Sequence, residues 1–264
     1  MPGFLRQTRD RALADIQPDS GIELLWRPFA LPTAVLDAMP TGTTNWPISP
    51  ELGLLLARAV LRLGRRNVLE FGAGSSSLVF ARALAAAGGG RLTSIESTPE
   101  WCAGQWRKVA ELPTVDARLL EAQPRLALSS CGPAFSYRSA TRLLASRGPY
   151  DFVLVDAPQH FFGRDGAIPL VHRFVAPGTL IVLDDAAREG ERYAVARWLR
   201  CFTGLRLVAF DAAFGGRGIA ILRVDAPLRS RTDWWSWCTA SIHLLRGQTA
   251  RSDFERTKIG TITT

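Results

Sequence analysis

Five acidic residues, Glu70, Glu96, Asp156, Asp184 and Asp185, each close a short apolar run. The first of them is followed, after Phe71, by the turn Gly72-Ala73-Gly74 and the serines Ser75, Ser76 and Ser77. Glycines in such a turn let the backbone approach a ligand closely, because no Cβ stands in the way. Glu96 comes 26 residues after Glu70, where a carboxylate ending the next strand can accept hydrogen bonds from both hydroxyls of a ribose. Asp156, Asp184 and Asp185 end two later runs and would share one rim. Three carboxylates gathered there repel one another and rise in pKa, so a divalent cation such as Mg²⁺ is an economical partner. Such an ion would bind substrate oxygens and lower the pKa of a hydroxyl. His160, four residues past Asp156, titrates near neutrality and is the candidate base for the released proton, with Asp156 beside it. Plainer roles stay open for each: a tight strand-to-helix turn, a surface acid, a helix cap at Asp185 or Arg188, a loop histidine that touches substrate or water.

These side chains can meet only if the runs that carry them lie side by side. Apolar runs of five to seven residues fall at 67–71, 91–96, 115–120, 151–156, 179–183, 205–210 and 218–224. Several are apolar at consecutive positions, the pattern of strands buried on both faces. Helical patterns at 76–87, 99–110, 165–175 and 189–202 separate them. Alternating strands and helices predict an α/β fold, a doubly wound, Rossmann-like seven-stranded sheet. The last two runs are joined by only seven residues, including Gly215 and Gly216, which predicts an antiparallel C-terminal hairpin on a mostly parallel sheet. A helix over 52–63, with Ser49 as N-cap and Pro50 in its first turn, leads into the domain. Residues 1–49, rich in proline, read as an N-terminal arm or cap, 50–226 as the catalytic domain, and 227–264 as an extension carrying Trp234, Trp235 and Trp237. That tryptophan cluster is expected to pack on the domain or at a subunit interface.

In order along the chain, VLEFGAGSSS, LTSIESTPEW, YDFVLVDAPQH and APGTLIVLDDAARE resemble the successive motifs of class I S-adenosylmethionine-dependent methyltransferases. The nearest flavour is the small-molecule, sugar- or catechol-like O-methyltransferases with an acidic pair after the fifth strand. The resemblance covers roughly residues 50 to 225. It implies that Glu70 faces the cofactor's methionine amino group, that Gly72, Gly74, Ser75 and Ser76 line the cofactor, that Glu96 holds the ribose and that Trp101 flanks the adenine. It also implies a metal on Asp156, Asp184 and Asp185. The chain departs from the catechol pattern at Gln159, where those enzymes place a lysine base. His160 is the substitute, since related sugar O-methyltransferases use a histidine close by.

The expected reaction is therefore O-methylation of a small hydroxylated molecule, a sugar or secondary metabolite, with residues 1–50 and the segment 129–148, including Tyr137 and Arg138, selecting it. A nucleotide-dependent oxidoreductase is the rival for the glycine turn. However, the turn lacks a third glycine, and Tyr193 is followed four positions on by Arg197 rather than lysine. A methyltransferase acting on nucleic acid or protein is the other alternative, although DAPQ stands where amino-methylating nucleic-acid enzymes carry a proline-proline-tyrosine motif. A non-catalytic binding module would have little use for five acids at strand ends.

Bulk properties narrow the class further. The formal charge is +8, and all but Lys108 and Lys258 of the 32 basic residues are arginine. These positives are scattered, which fits a compositional bias better than a nucleic-acid footprint. Cys102, Cys131, Cys201 and Cys238 show no metal-finger or disulfide spacing, so a reducing cytoplasm is the expected setting. The N-terminal stretch has no apolar core of the signal-peptide kind, and no run approaches the roughly 20 apolar residues of a membrane span. A homo-oligomer formed through either terminal extension is a further expectation.

Overall fold

The structure, a computed structural model, describes residues 3–40, 47–159 and 162–260, with side chains in the last helix as far as Gly247. Seven of the described strands form one sheet: β1 (Asn67–Phe71), β2 (Gly90–Glu96), β3 (Val115–Glu121), β6 (Tyr150–Val155), β7 (Val175–Asp184), β8 (Phe202–Asp211) and β9 (Ile219–Ser230). They lie in the order β3-β2-β1-β6-β7-β9-β8. β1, β2, β3, β6 and β7 run parallel, and β9 is antiparallel to both β7 and β8. This is the doubly wound sheet with an antiparallel C-terminal hairpin that the strand and helix alternation predicts.

The consecutive apolar residues have a direct reason. Successive side chains on a strand point to opposite faces, and both faces here are covered. Leu69, Phe71, Ile95, Val153, Val155, Ile181 and Leu183 enter one apolar core. Val68, Leu92, Phe152, Leu154, Leu180 and Val182 enter the other. The second layer is built by α2 (Pro50–Leu61) and α3 (Ser75–Ala86), the first by α6 (Ala167–Val171) and α7 (Glu189–Cys201). Helix α2 begins where the sequence signals it: Ser49 Oγ accepts from the Leu52 N–H at 3.1 Å, and Pro50 stands at the first helical position. Such a cap contributes about 1 kcal/mol.

Both ends of the chain are stitched to this body. Helix α1 (Gly3–Ala14) and the last helix, α8 (Trp234–Gly260), meet on α7 in a small core of Leu5, Tyr193, Ala196 and Trp235. Trp235 is fully buried and stacks on Tyr193 at 5.9 Å, while Trp234 is exposed and stacks on Phe4. Asp19 pairs with Arg206 and Arg223 on the outer strands.

The structure departs from the sequence reading in three places. The segment 129–148, read as loop, holds the end of β4 (Arg125–Ser129) and all of β5 (Gly132–Ser136), which pair as a hairpin, and a helix over Thr141–Arg147. Pro133 argues against a strand in a pattern-based reading. The helix expected over 165–175 is confined to Ala167–Val171. β9 continues to Ser230, so the boundary placed at residue 226 falls inside a strand.

Candidate functional site

β1 delivers the glycine turn between strand and helix. Gly72 has φ +91, and a Cβ on it would press on the Ala157 side chain at 3.1 Å and the Asp156 backbone at 3.3 Å. Only glycine fits both constraints. Gly74 differs, because a Cβ there would meet no protein atom within 4 Å. The space above it is open, as expected of a turn that leaves room for a bound group. The Gly74 N–H donates to Ser77 Oγ at 3.0 Å, and Ser75 Oγ accepts from the Ile48 N–H at 3.2 Å, tying the N-terminal segment to the turn.

Glu70 has the strand parity of Val68, so it points toward α3. Its carboxylate is fully buried and accepts from the hydroxyls of Ser76 at 2.9 Å, Ser94 at 2.5 Å and Ser77. Burial pushes its pKa up to about 7, against the three hydroxyls that favour the anion. Expected to face a cofactor amino group, Glu70 has both oxygens engaged inside the protein, where they hold the turn to the helix that follows. Ser76 and Ser77 are likewise buried in this clamp.

Glu96, at the end of β2, reaches the turn directly. Its Oε2 accepts from the Ala73 N–H at 3.1 Å, and its Oε1 accepts from the N–H groups of Ser97 at 2.7 Å and Thr98 at 2.9 Å. A carboxylate oxygen has two lone pairs, so Oε2 retains acceptor capacity beside the turn. Trp101 follows on a 3₁₀ turn and is 55% exposed. That exposure leaves its ring available to a ligand.

The ends of β6 and β7 carry the acids. Asp156, Asp184 and Asp185 offer ligand atoms that all lie within 4.8 Å of one another. Asp184 and Asp185 are buried, Asp156 partly so. Between them sits a residue that the sequence reading missed. Arg164, 3% exposed, donates from Nη2 to Asp156 Oδ1 at 2.9 Å and to Asp185 Oδ2 at 2.7 Å, and from Nη1 to the Asp184 carbonyl at 2.6 Å. Arg188 adds a contact of 2.8 Å to Asp185, and Glu191 stands 4.0 Å from Arg164 Nε. Two carboxylate oxygens, Asp184 Oδ2 and Asp185 Oδ1, are buried without a hydrogen-bond partner among the described residues. Burial raises the Asp156 carboxyl to about 7, helped by repulsion from Asp184 and Asp185 and opposed by Arg164. The Asp184 carboxyl is raised for the same first reason, burial. Asp185 also has φ +57, the left-handed region that a non-glycine residue adopts at a cost.

The structure therefore gathers Gly72, Gly74, Ser75, Glu96, Asp156, Asp184 and Asp185 along one rim, at the carboxyl ends of neighbouring strands, where open α/β sheets bind ligands. His160 lies outside the described residues. Tyr137, expected to face substrate, is 1% exposed and stacks on Phe71 in the core; Arg138 donates to the Leu128 carbonyl. Arg164 left no signal in the sequence, because a single arginine in a loop has no spacing to betray it.

Residues 69–186 match the family model described as a methyltransferase domain. No curated protein matches the chain. Among solved structures, an O-methyltransferase from Bacillus cereus in complex with SAH is 18% identical, with 84% of this chain and 100% of that one covered and a TM-score of 0.49. A cofactor-bound protein from MTB is 19% identical over 86% of this chain and 99% of that one, with a TM-score of 0.48. Precorrin-6y C5,15-methyltransferase from Geobacter metallireducens GS-15 is 14% identical over 70% and 92%, with a TM-score of 0.44. The matched stretch spans β1 to the acidic pair after β7 in a sheet of this order, so this part of the chain is similar to methyltransferase domains.

Proposed function

We propose that the protein methylates a hydroxyl oxygen of a small hydroxylated molecule, a sugar or secondary metabolite, with a divalent cation held by Asp156, Asp184 and Asp185. The observation that carries this reading is the pair of unpartnered buried oxygens, Asp184 Oδ2 and Asp185 Oδ1, inside that carboxylate cluster. A buried acceptor without a partner costs about 1–3 kcal/mol, and hard cations take oxygen ligands of this kind. The residues present thus fit a Mg²⁺-like ion, which would lower the pKa of a substrate hydroxyl bound to it.

S-adenosylmethionine, when bound, supplies a methyl group already activated on a sulfonium. What remains for the chain is mainly alignment and charge. In this reading Gly72, Gly74, Ser75 and Ser76 shape the cofactor cradle, Glu70 holds that cradle rigid from beneath, Glu96 receives the ribose hydroxyls and Trp101 covers the adenine. His160 takes the hydroxyl proton, a role it holds on sequence grounds.

Arg164 favours a second reading without metal. Its guanidinium already places positive charge between Asp156 and Asp185, and Asp156, with its carboxyl raised to about 7, can hold a proton at neutral pH.

Calorimetric titration with S-adenosylhomocysteine, with and without Mg²⁺, on wild type and Asp184→Ala tests these readings. Binding to wild type is expected. No binding in any condition would sink the methyl-transfer reading, and metal-independent turnover that survives Asp184→Ala would select the Arg164 reading. A cytoplasmic setting is proposed because all four cysteines are free; no described helix is long and apolar enough to cross a membrane. The exposed Phe4–Trp234 stack supports self-association through the terminal helices.

A further inference from the structure

A cavity of about 280 Å³ opens between the first turn of α7, the residues Phe162 to Asp165, the start of β5 and the face of α8 that carries His243 and Arg246. Two of its lining residues also touch the acidic cluster. Arg188 donates to Asp185 at 2.8 Å, and Glu191 faces Arg164 at 4.0 Å. Arg164 in turn holds Asp156, whose backbone backs the Gly72 turn. A continuous run of contacts therefore leads from the glycine turn through the carboxylates to this cavity. Neither this cavity nor a larger one of about 710 Å³ under the β4–β5 hairpin is lined by the three acids themselves, but only the smaller one is lined by Arg188 and Glu191.

The charges on the cavity wall are not evenly matched. Asp165 is paired with the buried Arg197, Glu191 faces Arg164, and Glu189 lies 3.8 Å from Arg9. Arg246 is exposed and makes no ion pair among the described residues, and Arg188 keeps a 40% exposed side chain. Phe162, Pro133 and Leu244 supply apolar surface. The volume is just under the roughly 300 Å³ at which pockets for drug-sized ligands begin, so it suits one ring.

Resting on the methyl-transfer reading, we propose that this cavity is the acceptor site and that its ligand is a hydroxylated single-ring acid. The hydroxyl lies toward Arg188 and Glu191, which contact Asp185 and Arg164, the ring against Phe162 and Leu244, and the anionic group on Arg246. The tryptophan-bearing C-terminal helix then has a function beyond packing, because it forms one wall of the substrate pocket.

Gly190 offers a clean block. It lines the cavity, and a Cβ there would meet nothing within 4 Å, so Gly190→Leu starts its side chain from open space. The test uses full-length protein saturated with S-adenosylhomocysteine and two matched pairs of probes, protocatechuate with catechol and glucuronate with glucose, measured by calorimetry. One acid is expected to bind at least about tenfold more tightly than its neutral partner. Gly190→Leu should weaken that acid by about tenfold or more while leaving S-adenosylhomocysteine affinity unchanged, and Arg246→Glu should abolish the preference for the acid. Thermal melting of both variants reports their folding, and the exposed Arg246→Glu stands if Gly190→Leu melts early. Equal binding of acid and neutral probes, binding of none of the four, or an acid affinity untouched by both variants overturns the proposal. S-adenosylhomocysteine failing to bind wild type overturns the methyl-transfer reading and this one with it.

Discussion

Arg164 Nη2 donates to Asp185 Oδ2 at 2.7 Å, with the two side chains only 4% and 5% exposed. Removing one partner of a buried ion pair strands the other, which typically costs 3–5 kcal/mol. Arg164→Gln is therefore expected to lower stability by about 3 kcal/mol at pH 8. The loss should shrink below pH 7, because Asp156, raised to about 7, becomes protonated and less charge is left uncompensated. Urea unfolding at pH 6 and pH 8 measures both, and equal midpoints for wild type and variant at pH 8 would show that Arg164 is not the counter-charge.

The two glycines of the turn should separate folding from binding. Gly72→Ala meets both a left-handed backbone and the Asp156 main chain, so it should lose about 1–3 kcal/mol of stability as well as cofactor affinity. Gly74→Ala meets no protein atom. It should melt with wild type yet bind S-adenosylhomocysteine at least about tenfold more weakly, since the added methyl enters the ligand's space. Normal affinity in Gly74→Ala would place the cofactor elsewhere.

Glu70 gives a pH dependence with a definite sign. Its carboxyl, raised from 4.5 to about 7 by burial, binds its proton more tightly in the folded than in the unfolded state. This contribution to stability is complete below the unfolded value and is lost as pH rises through about 7. Asp156 acts in the same direction, so the informative quantity is the difference between wild type and Glu70→Gln. Wild type should lose up to about 1 kcal/mol per pH unit more than the variant between pH 5 and pH 7. Parallel stability profiles would mean that Glu70 is not desolvated as described.

Trp235 joins both chain ends to the domain through Tyr193 and Leu5. Trp235→Ala should cost about 3–5 kcal/mol, the usual loss for a buried tryptophan. It should also free α1, so that limited proteolysis cuts within residues 3–14 before the domain unfolds. Protection of that segment in the variant would show that α1 is held by other contacts.

Much of this was legible in the sequence because it repeats. The alternation of apolar runs and helices, the Ser49-Pro50 cap and the seven-residue connection before β9 are local patterns, and each reports a buried face or a turn whatever surrounds it. The acids at 96, 156, 184 and 185 were readable for the same reason, since strand ends in a parallel sheet share one rim. The β4–β5 hairpin was not, because its strands are short and contain a proline.

What only tertiary structure decided is which charges meet. Burial and strand parity set the Glu70 carboxylate against three serines. Arg164, eight residues from Asp156 and 21 from Asp185, reaches both only because β6 and β7 are neighbours. The wall of the smaller cavity joins β5, α7 and α8, segments spread over more than a hundred residues of the chain. Local sequence sets the direction a side chain can take. The contact itself, and with it the electrostatics of the site, depends on a partner that the chain brings in from afar.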